Sequence, residues 1–355
     1  MSTAQAFCPD WASSPGETIA DILRERRIKV ETFADLIGQS VEQVQRLLSG
    51  ESPITLGVAR QLQQTLGASV EFWMARDFRY RQIADPEEAT NAWVQELPIR
   101  DMVKFGWIEK APNGPEQLTA CLKFFNVPSV AAWHRVYGTL ERMYLFKKSA
   151  SFESRQAAVA AWLRQGEIQA EGIECSPWEA RGFENRLERL RLLTRESRPE
   201  IFWPELQKTC ADVGIAATIV PTPNGCPASG ATRFLTDKKA LLLLSFRYLV
   251  EDQFWFSFFH EAGHLLLHSH KETFIEGIET SDTRAENEAN EFAANVLIPP
   301  QHRMELLNLN QRRFELARFA RRMGISTGIV VGQLQHYKRI PNAHFNTLKR
   351  RYHWS

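Results

Sequence analysis

Apolar residues in the first part of the chain recur every three or four positions, which is the spacing of short amphipathic helices. The pattern runs from Ile19 to Leu66 and is interrupted at Gly38–Ser40 and again at Gly50. Serine is a favoured N-cap, and glycine commonly follows the last turn of a helix. The pattern therefore predicts a helix-turn-helix with its tight turn at residues 38–40.

Helical spacing continues from residue 86 to residue 200, where the aromatic side chains are predicted to form a core. Ser151–Ser154 is predicted to link two helices. After residue 200, β-rich runs and turn signals predict three strands and then a long helix from Phe254 to His268. The strands are predicted at residues 215–221, 231–235 and 240–245. We therefore expect an α+β domain to begin near residue 201.

Length and charge add to this picture. A chain of 355 residues predicts about two to three domains, and 44% apolar residues supply their cores. The net charge of +1 favours neither a polyanion binder nor a polyanion mimic. Residues 301–355 nevertheless carry 11 basic and 2 acidic side chains. We expect this basic end to contact either nucleic acid or the acidic middle of the same chain.

The cysteines and the hydropathy indicate a compartment. Five cysteines without a CxxC pair predict neither a disulfide framework nor a thiolate zinc knuckle, which fits a reducing cytoplasm. The N-terminus lacks a signal peptide pattern, and no run approaches the roughly 18 apolar residues of a membrane span. The sequence therefore predicts a cytoplasmic protein with no membrane partner.

The long helix contains HEAGH at residues 260–264. His260 and His264 lie one turn apart, so both imidazoles point to one side and can share one metal ion. Glu261 lies about 100° around the axis, where its carboxylate can take a proton from water that the ion activates. As core residues on this apolar helix, unpaired imidazoles and a carboxylate would be costly to bury. The motif predicts a Zn²⁺ site with Glu261 as general base.

A catalytic zinc ion needs a third protein ligand. His270 follows His260 at the spacing of a longer motif, but Leu267 occupies the position where that motif requires glycine. His268 lies about 12 Å along a straight helix from His260, which is too far to share the ion. Glu286 is predicted to project from the buried, small-residue face of the next helix. Glu286 is therefore the preferred third ligand.

Several short motifs mark the N-terminal block, namely PGE at 15–17, FADLIG at 33–38, RLLSG at 46–50, PIT at 53–55 and LG through EFW at 66–73. With them the block resembles the XRE-type domain of HigA-like antitoxins. The resemblance implies that the helix after the turn enters the major groove of DNA. The residues placed near DNA would be Ser40, Glu42, Gln43 and Arg46. Because the block is net acidic, the alternative is that it only dimerises or docks a protein partner.

A second set of motifs is GATRF at 230–234, LSFRY at 244–248, FWF leading into HEAGH at 254–264, and the segment 286–299. Residues 200–300 with these motifs resemble the ImmA/IrrE metallopeptidase family, which has a minimal gluzincin-like fold. The resemblance implies that His260, His264 and Glu286 bind zinc and that Glu261 is the catalytic base. Glu288 is the alternative ligand. The family also implies cleavage of a protein partner, commonly a transcriptional repressor.

These features together predict a multidomain chain with all-α parts and one α+β part. The predicted regions are an N-terminal segment at 1–14, an XRE/HigA-like helix-turn-helix domain at 15–85, a helical middle region at 86–200, an ImmA/IrrE-like peptidase domain at 201–300 and a basic helical region at 301–355.

The predicted function is that of a zinc metalloendopeptidase that cleaves a repressor or antitoxin in bacterial stress, mobile-element or phage-defence gene control. DNA is the second expected partner, and a homodimer is the expected assembly because helix-turn-helix proteins commonly act as symmetric dimers. An edge strand at Gly230–Leu235 is expected to hold an extended substrate. The alternative is a DNA-binding, antitoxin-like regulator whose zinc is structural or sensory and which cleaves nothing.

Overall fold

The computed structural model describes residues 13–84, 86–137, 151–245, 250–268, 273–276 and 283–352. Over these residues the chain is mostly helical and has a four-stranded mixed sheet. It divides into two compact units, Met1–Gln95 with Asn113–Leu118 and Glu96–Pro112 with Thr119–Ser355. Among the described helices, none has the length and apolar character needed to cross a membrane. The predicted segment 1–14 lies almost wholly outside the described residues.

The helices in the first part of the chain are α1 (Pro15–Glu25), α2 (Val30–Ile37), α3 (Val41–Leu48), α4 (Leu56–Leu66), α5 (Val70–Ala84) and α6 (Pro86–Glu96). Those between residues 99 and 211 are α7 (Ile99–Lys104), α8 (Pro115–Phe125), α9 (Val130–Tyr137), α10 (Ser151–Glu171), α11 (Ala180–Glu184), α12 (Leu187–Leu192) and α13 (Pro199–Ala211).

The turn between α2 and α3 lies where the sequence predicts it. Gly38 ends α2 with φ 60°, a left-handed conformation that glycine adopts without strain, and its N–H bonds back to α2. The Ser40 hydroxyl accepts from the Gln43 N–H, while the Gln43 side chain accepts from the Ser40 N–H. This capping box fixes the start of α3.

The first unit has its own apolar core. The spacing of the apolar residues places one face of each of α1 to α4 inside, together with Trp73 of α5. The buried members are Ile19, Leu23, Phe33, Ala34, Ile37, Val44, Leu47, Ile54, Ala59, Leu62, Leu66 and Trp73.

The second unit is built on strands β1 (Ile215–Val220), β2 (Gly230–Thr236), β3 (Lys239–Ser245) and β4 (Phe274–Glu276) in the order β1-β3-β2-β4. β1 runs parallel to β3, whereas β2 is antiparallel to both β3 and β4. The three strands predicted from the sequence are therefore present. β4 is an additional strand, and its pairing with Gly230–Thr232 makes that part of β2 an inner strand. The expectation that all of Gly230–Leu235 forms an edge is wrong.

Both faces of the sheet are covered, which explains the uninterrupted apolar run of β3. On one face Gly166 of α10 lies so close to Leu243 that an added Cβ would be 2.6 Å from its side chain. On the other face Leu242 and Leu244 join the core formed with the helix α14 (Glu251–Leu267). α14 is thus a buried helix that lies directly on the sheet.

The remaining helices complete this unit around α14. They are α15 (Thr283–Leu297), α16 (Arg303–Leu307), α17 (Arg313–Met323) and α18 (Thr327–His336). Ser151–Ser154 belongs to α10, so the prediction of a linker there is wrong. A serine-rich stretch is a weak breaker signal, and the strongly buried helix that follows continues through it.

The basic end of the chain packs against the start of α14. Lys349 Nζ lies 2.5 Å from Asp252 Oδ2, and the Arg350 N–H donates to Glu251 Oε1 at 3.0 Å. The Trp255 indole N–H donates to the Tyr352 hydroxyl at 2.9 Å. Basic residues from 301–355 therefore neutralise acidic residues of the same chain, as one of the two sequence alternatives expects.

Candidate metal centre

Two histidines and a glutamate of α14 form the floor of the candidate site. His260, Glu261 and His264 are buried, with exposed fractions of 1%, 0% and 2%. The helical spacing places both imidazoles on one side, so that their Nε2 atoms lie 3.0 Å apart. A pair of ring nitrogens this close shares one position for a proton or a metal ion.

Small residues bring α15 against this side of α14. An added Cβ on Gly263 would be 3.1 Å from Phe292 Cδ1 and 3.3 Å from the Ala289 Cα. Glu286 lies one turn before Ala289 and faces the imidazoles. Its Oε2 is 3.4 Å from His260 Nε2, and its Oε1 is 3.5 Å from His264 Nε2.

The ligand atoms of His260, His264 and Glu286 all lie within 4.8 Å of one another. Zinc bonds of about 2.0–2.2 Å in tetrahedral geometry set donor atoms about 3.3 Å apart. The separations of 3.0, 3.4 and 3.5 Å surround this value. Glu286 Oε1 is also buried without a hydrogen-bond partner. The donor set, its spacing and this unsatisfied oxygen fit one bound zinc ion.

Glu261 points toward β2 beside the imidazole pair. An added Cβ on Gly230 would be 2.5 Å from Glu261 Oε1, so the carboxylate occupies the space that a side chain there would need. Both carboxylate oxygens are buried without a hydrogen-bond partner, and the Thr232 hydroxyl faces them without reaching normal hydrogen-bond geometry. Burial raises the pKa of Glu261 well above its ordinary value, and the charge of His260 opposes this shift.

The two imidazoles differ in their affinity for a proton. Burial alone would lower the pKa of His260, but the hydrogen bond with Glu286 and the charges of Glu261 and Glu276 raise it to about 9. Burial, together with the charges of His260 and His268, lowers the pKa of His264 to about 2. The position between the rings therefore favours one positive charge, which a metal cation supplies when it replaces the proton.

Further side chains contact the imidazoles on the side of their Nδ1 atoms. His260 Nδ1 lies 3.1 Å from Asn290 Oδ1, one turn after Glu286 on α15. His264 Nδ1 lies 3.0 Å from His268 Nδ1, and the ring of His264 stacks on Phe274 with centroids 4.2 Å apart. Sequence reasoning missed both residues: Asn290 lies within the segment 286–299 but was given no role, and Phe274 belongs to no motif.

Two alternative ligands, Glu288 and His268, lie away from the position between the imidazoles. Glu288 bonds to His268 Nε2 at 3.2 Å and to Arg284 Nε at 2.7 Å, and does not reach the imidazole pair. His268 ends α14 in an extended conformation and turns toward Glu288. His270 lies outside the described residues. Glu276 of β4 is a further carboxylate near the site that the sequence did not indicate, and its Oε2 is buried without a hydrogen-bond partner.

The four residues placed near DNA lie at the start and along the outside of α3. Ser40 and Gln43 bond to each other in the capping box. Glu42 and Arg46 are exposed and lie 3.7 Å apart as an ion pair. The structure brings the four residues to one exposed region, and their contact with DNA stays a prediction.

A buried imidazole pair, a glutamate from the following helix and a second glutamate beside them form a site of the metallopeptidase type. The family model described as the IrrE N-terminal-like domain, Peptidase_M78, matches residues 227–335. The match supports a metallopeptidase-type function for this region, and peptidases of this family are generally zinc-dependent. It includes all four site residues and continues through α17 into α18. No curated protein matches the chain.

Proposed function

We propose that this chain is a zinc-dependent endopeptidase whose metal is held by His260, His264 and Glu286. The observation that carries the proposal is the triangle of donor atoms at 3.0, 3.4 and 3.5 Å with an unpaired carboxylate, Glu261, beside it. A structural zinc site has four protein ligands and no adjacent free base, whereas a catalytic site has three. Three donor residues in the described part of the chain, with the Glu261 carboxylate beside them, therefore favour catalysis.

The metal ligands and Glu261 have different roles in the proposed hydrolysis of a peptide bond. A Zn²⁺ ion held by His260, His264 and Glu286 would supply polarisation of the scissile carbonyl and a pKa of water closer to neutrality. Glu261 accepts a proton from the attacking water and delivers it to the nitrogen of the leaving amine, so that water adds across the C–N bond as it breaks. Glu261 is buried beside the imidazole pair, which places its carboxylate to take up this proton and return it.

The outer side of β4 is the proposed position of an extended substrate. β4 lies at the end of the sheet next to the imidazoles, with Phe274 stacked on His264. A peptide added along this strand would be held by main-chain hydrogen bonds, which give affinity with little side-chain selectivity. We propose that the substrate is a regulatory protein of the repressor or antitoxin type, as the ImmA/IrrE resemblance implies.

Replacing Glu261 with glutamine tests the catalytic step. Glu261→Gln keeps the size of the side chain but removes the base, so peptide cleavage should fall at least about 10²-fold while zinc is retained. Cleavage is measured with a degenerate quenched peptide library and with denatured casein, and zinc by metal analysis. Glu291→Gln, an exposed position with the same change in charge, is the matched control.

His260→Ala and Glu286→Ala should instead lose the metal. Cleavage that survives in Glu261→Gln, or zinc that survives in both alanine variants, would contradict the proposed roles. Zinc without any cleavage in the wild type would leave the antitoxin-like regulator with a structural or sensory metal. Casein cleaved as fast as a folded repressor would remove the basis for a dedicated substrate.

The proposal for the first unit is that α3 reads DNA through Ser40, Glu42, Gln43 and Arg46. It is supported by the two short helices joined by a glycine turn and by the exposed face of α3. Because Ser40 and Gln43 are engaged in capping, Arg46 is the side chain best able to contact a base or a phosphate.

Arg46→Ala should therefore weaken binding to a duplex enriched from a random pool by about 1–3 kcal/mol. Arg24→Ala is the control, since Arg24 is an exposed, ion-paired arginine of α1 that lies outside the proposed contact. Binding is measured by fluorescence anisotropy at fixed salt. Equal losses in the two variants would indicate general charge attraction, and failure to enrich any duplex would remove DNA from the proposal.

A further inference from the structure

A chain of hydrogen-bonding side chains leads away from the candidate metal centre on the side of His264. His264 Nδ1 lies 3.0 Å from His268 Nδ1, His268 Nε2 lies 3.2 Å from Glu288 Oε2, and Glu288 Oε1 lies 2.7 Å from Arg284 Nε. The chain crosses from the end of α14 to the first turns of α15. None of these three outer residues can reach the metal position itself.

We propose that His268 and Glu288 are positioning residues that fix the tautomer of His264 for metal binding. The inference rests on the proposed zinc site and extends it to side chains that do not touch the ion. The outer two residues determine which atom donates in each hydrogen bond. The carboxylate of Glu288 can only accept, and the guanidinium of Arg284 can only donate.

The positions of the protons on the His268 and His264 imidazoles follow from these outer residues. Glu288 accepts from His268 Nε2–H, so in the neutral imidazole His268 Nδ1 carries a lone pair and accepts in turn. His264 must then donate through Nδ1–H, and its Nε2 is left with a lone pair that points at His260 and Glu286. In the opposite tautomer a proton on His264 Nε2 would lie in the position of the ion. Side chains behind a ligating histidine commonly fix its tautomer and orientation in this way.

The side chains of this hydrogen-bonded series become more exposed from His264 outward. The side chain of His264 is 0% exposed, that of His268 10% and that of Glu288 40%. Water therefore has little access to compete for the inner hydrogen bond, whereas the outer carboxylate is held by Arg284. Phe274 covers the rings of both His264 and His268. In the described part of the chain, His268 Nδ1 is the hydrogen-bond partner of His264 Nδ1.

Two substitutions at residue 268 separate hydrogen bonding from packing. His268→Phe keeps an aromatic ring against Phe274 but removes the acceptor, whereas His268→Asn places an amide oxygen near the position of Nδ1 and keeps it. We expect zinc affinity, measured by competition with a chromogenic chelator, to fall about 10- to 100-fold in His268→Phe. It should return toward the wild-type value in His268→Asn. His302→Phe, at a histidine far along the chain from the motif, is the matched control.

A second measurement needs no metal. Long-range ¹⁵N–¹H NMR of the histidine-labelled, metal-free full chain reports which nitrogen of His264 carries the proton. We expect the Nδ1–H form in the wild type and in His268→Asn, and its loss in His268→Phe. The thermal unfolding of metal-free His268→Phe should match that of the wild type, since a packing defect would lower it.

The outcomes distinguish this inference from the proposed function. Unchanged zinc affinity in His268→Phe, or an equal fall in both variants, would overturn the positioning role. An Nε2–H tautomer in the wild type would overturn it as well. A wild-type chain that binds no zinc but shows the expected tautomers would contradict the peptidase proposal and leave the hydrogen-bond chain intact.

Discussion

At the scale of single residues, the site depends on a missing side chain. Gly230 has an ordinary strand conformation, so glycine is required there for space alone: its absent Cβ leaves room for the Glu261 carboxylate. Glu261 in turn is held by burial rather than by hydrogen bonds. Its position is therefore set by the shape of β2 and is sensitive to a single added methyl group.

Gly230→Ala should displace Glu261, because the new Cβ would lie 2.5 Å from Oε1 and 2.8 Å from Cγ. We expect peptide cleavage to fall at least about tenfold while zinc binding is kept, since a general base must stay within hydrogen-bond reach of its proton. Cleavage and metal content are measured on the same preparation. Gly172→Ala, where the Cβ would meet only the Gln169 carbonyl at 3.6 Å, should change neither.

The sequence predicts the residues whose geometry is local. His260, Glu261 and His264 follow from helical spacing alone, and the structure brings Glu286 to them from the predicted face of α15. Glu276 and Asn290 could not be predicted. Glu276 reaches the site through the pairing of a three-residue strand, and Asn290 depends on how exactly α15 is placed beside His260.

At the scale of elements, the close approach of α14 and α15 assembles the donor set. Gly263 and Ala289 face each other where the two helices meet, and Glu286 lies one turn from that contact. The position of the third ligand is therefore coupled to the distance between the helices. A larger residue at the contact would separate Glu286 from the imidazole pair.

Gly263→Val should move Glu286 away from the imidazole pair, because even the new Cβ would lie 3.1 Å from Phe292 and 3.3 Å from the Ala289 Cα. Overpacking of this kind costs about 1–3 kcal/mol. We expect a lower free energy of unfolding in urea and weaker zinc binding. Gly57→Val serves as control, since a Cβ on this helical glycine meets only Thr55 Oγ1 at 3.8 Å. Zinc affinity equal to wild type in Gly263→Val would show that the ligand does not depend on this contact.

Elements were predictable to different degrees. Strands β1, β2 and β3 have enough residues for their apolar pattern to be recognised, and the structure places them within one residue of the predicted bounds. β4 has three residues, Phe274–Glu276, which is too short for a period of two to be detected. It forms because β2 offers an edge, which is a tertiary effect.

At the scale of the whole second unit, the basic end of the chain packs against the helix that carries the candidate site. Asp252 and Glu251 begin α14 with exposed fractions of 9% and 0%, and residues 349–352 cover them. The net charge of the region 301–355 suggested a nucleic acid surface or an internal partner. Lys349 and Arg350 meet acidic residues of the same unit, so part of that charge is used within the fold.

Lys349→Met should leave the carboxylate of Asp252 buried without its cation. Loss of one member of a buried ion pair costs about 3–5 kcal/mol, so the free energy of unfolding measured in urea should fall by that order. Lys349→Met combined with Asp252→Asn should recover much of the loss, because the unpaired charge is gone. If the double variant were no more stable than the single one, the ion pair would not be the cause.

This anchoring also bears on the order in which the protein is made. Ribosomes synthesise α14 some eighty residues before Lys349, Arg350 and Tyr352, which fasten its first turn. A nascent chain thus already contains the HEAGH motif before residues 349–352, which contact the first turn of α14, have been synthesised. The first turn of α14 therefore gains these contacts only when the last part of this unit has been made.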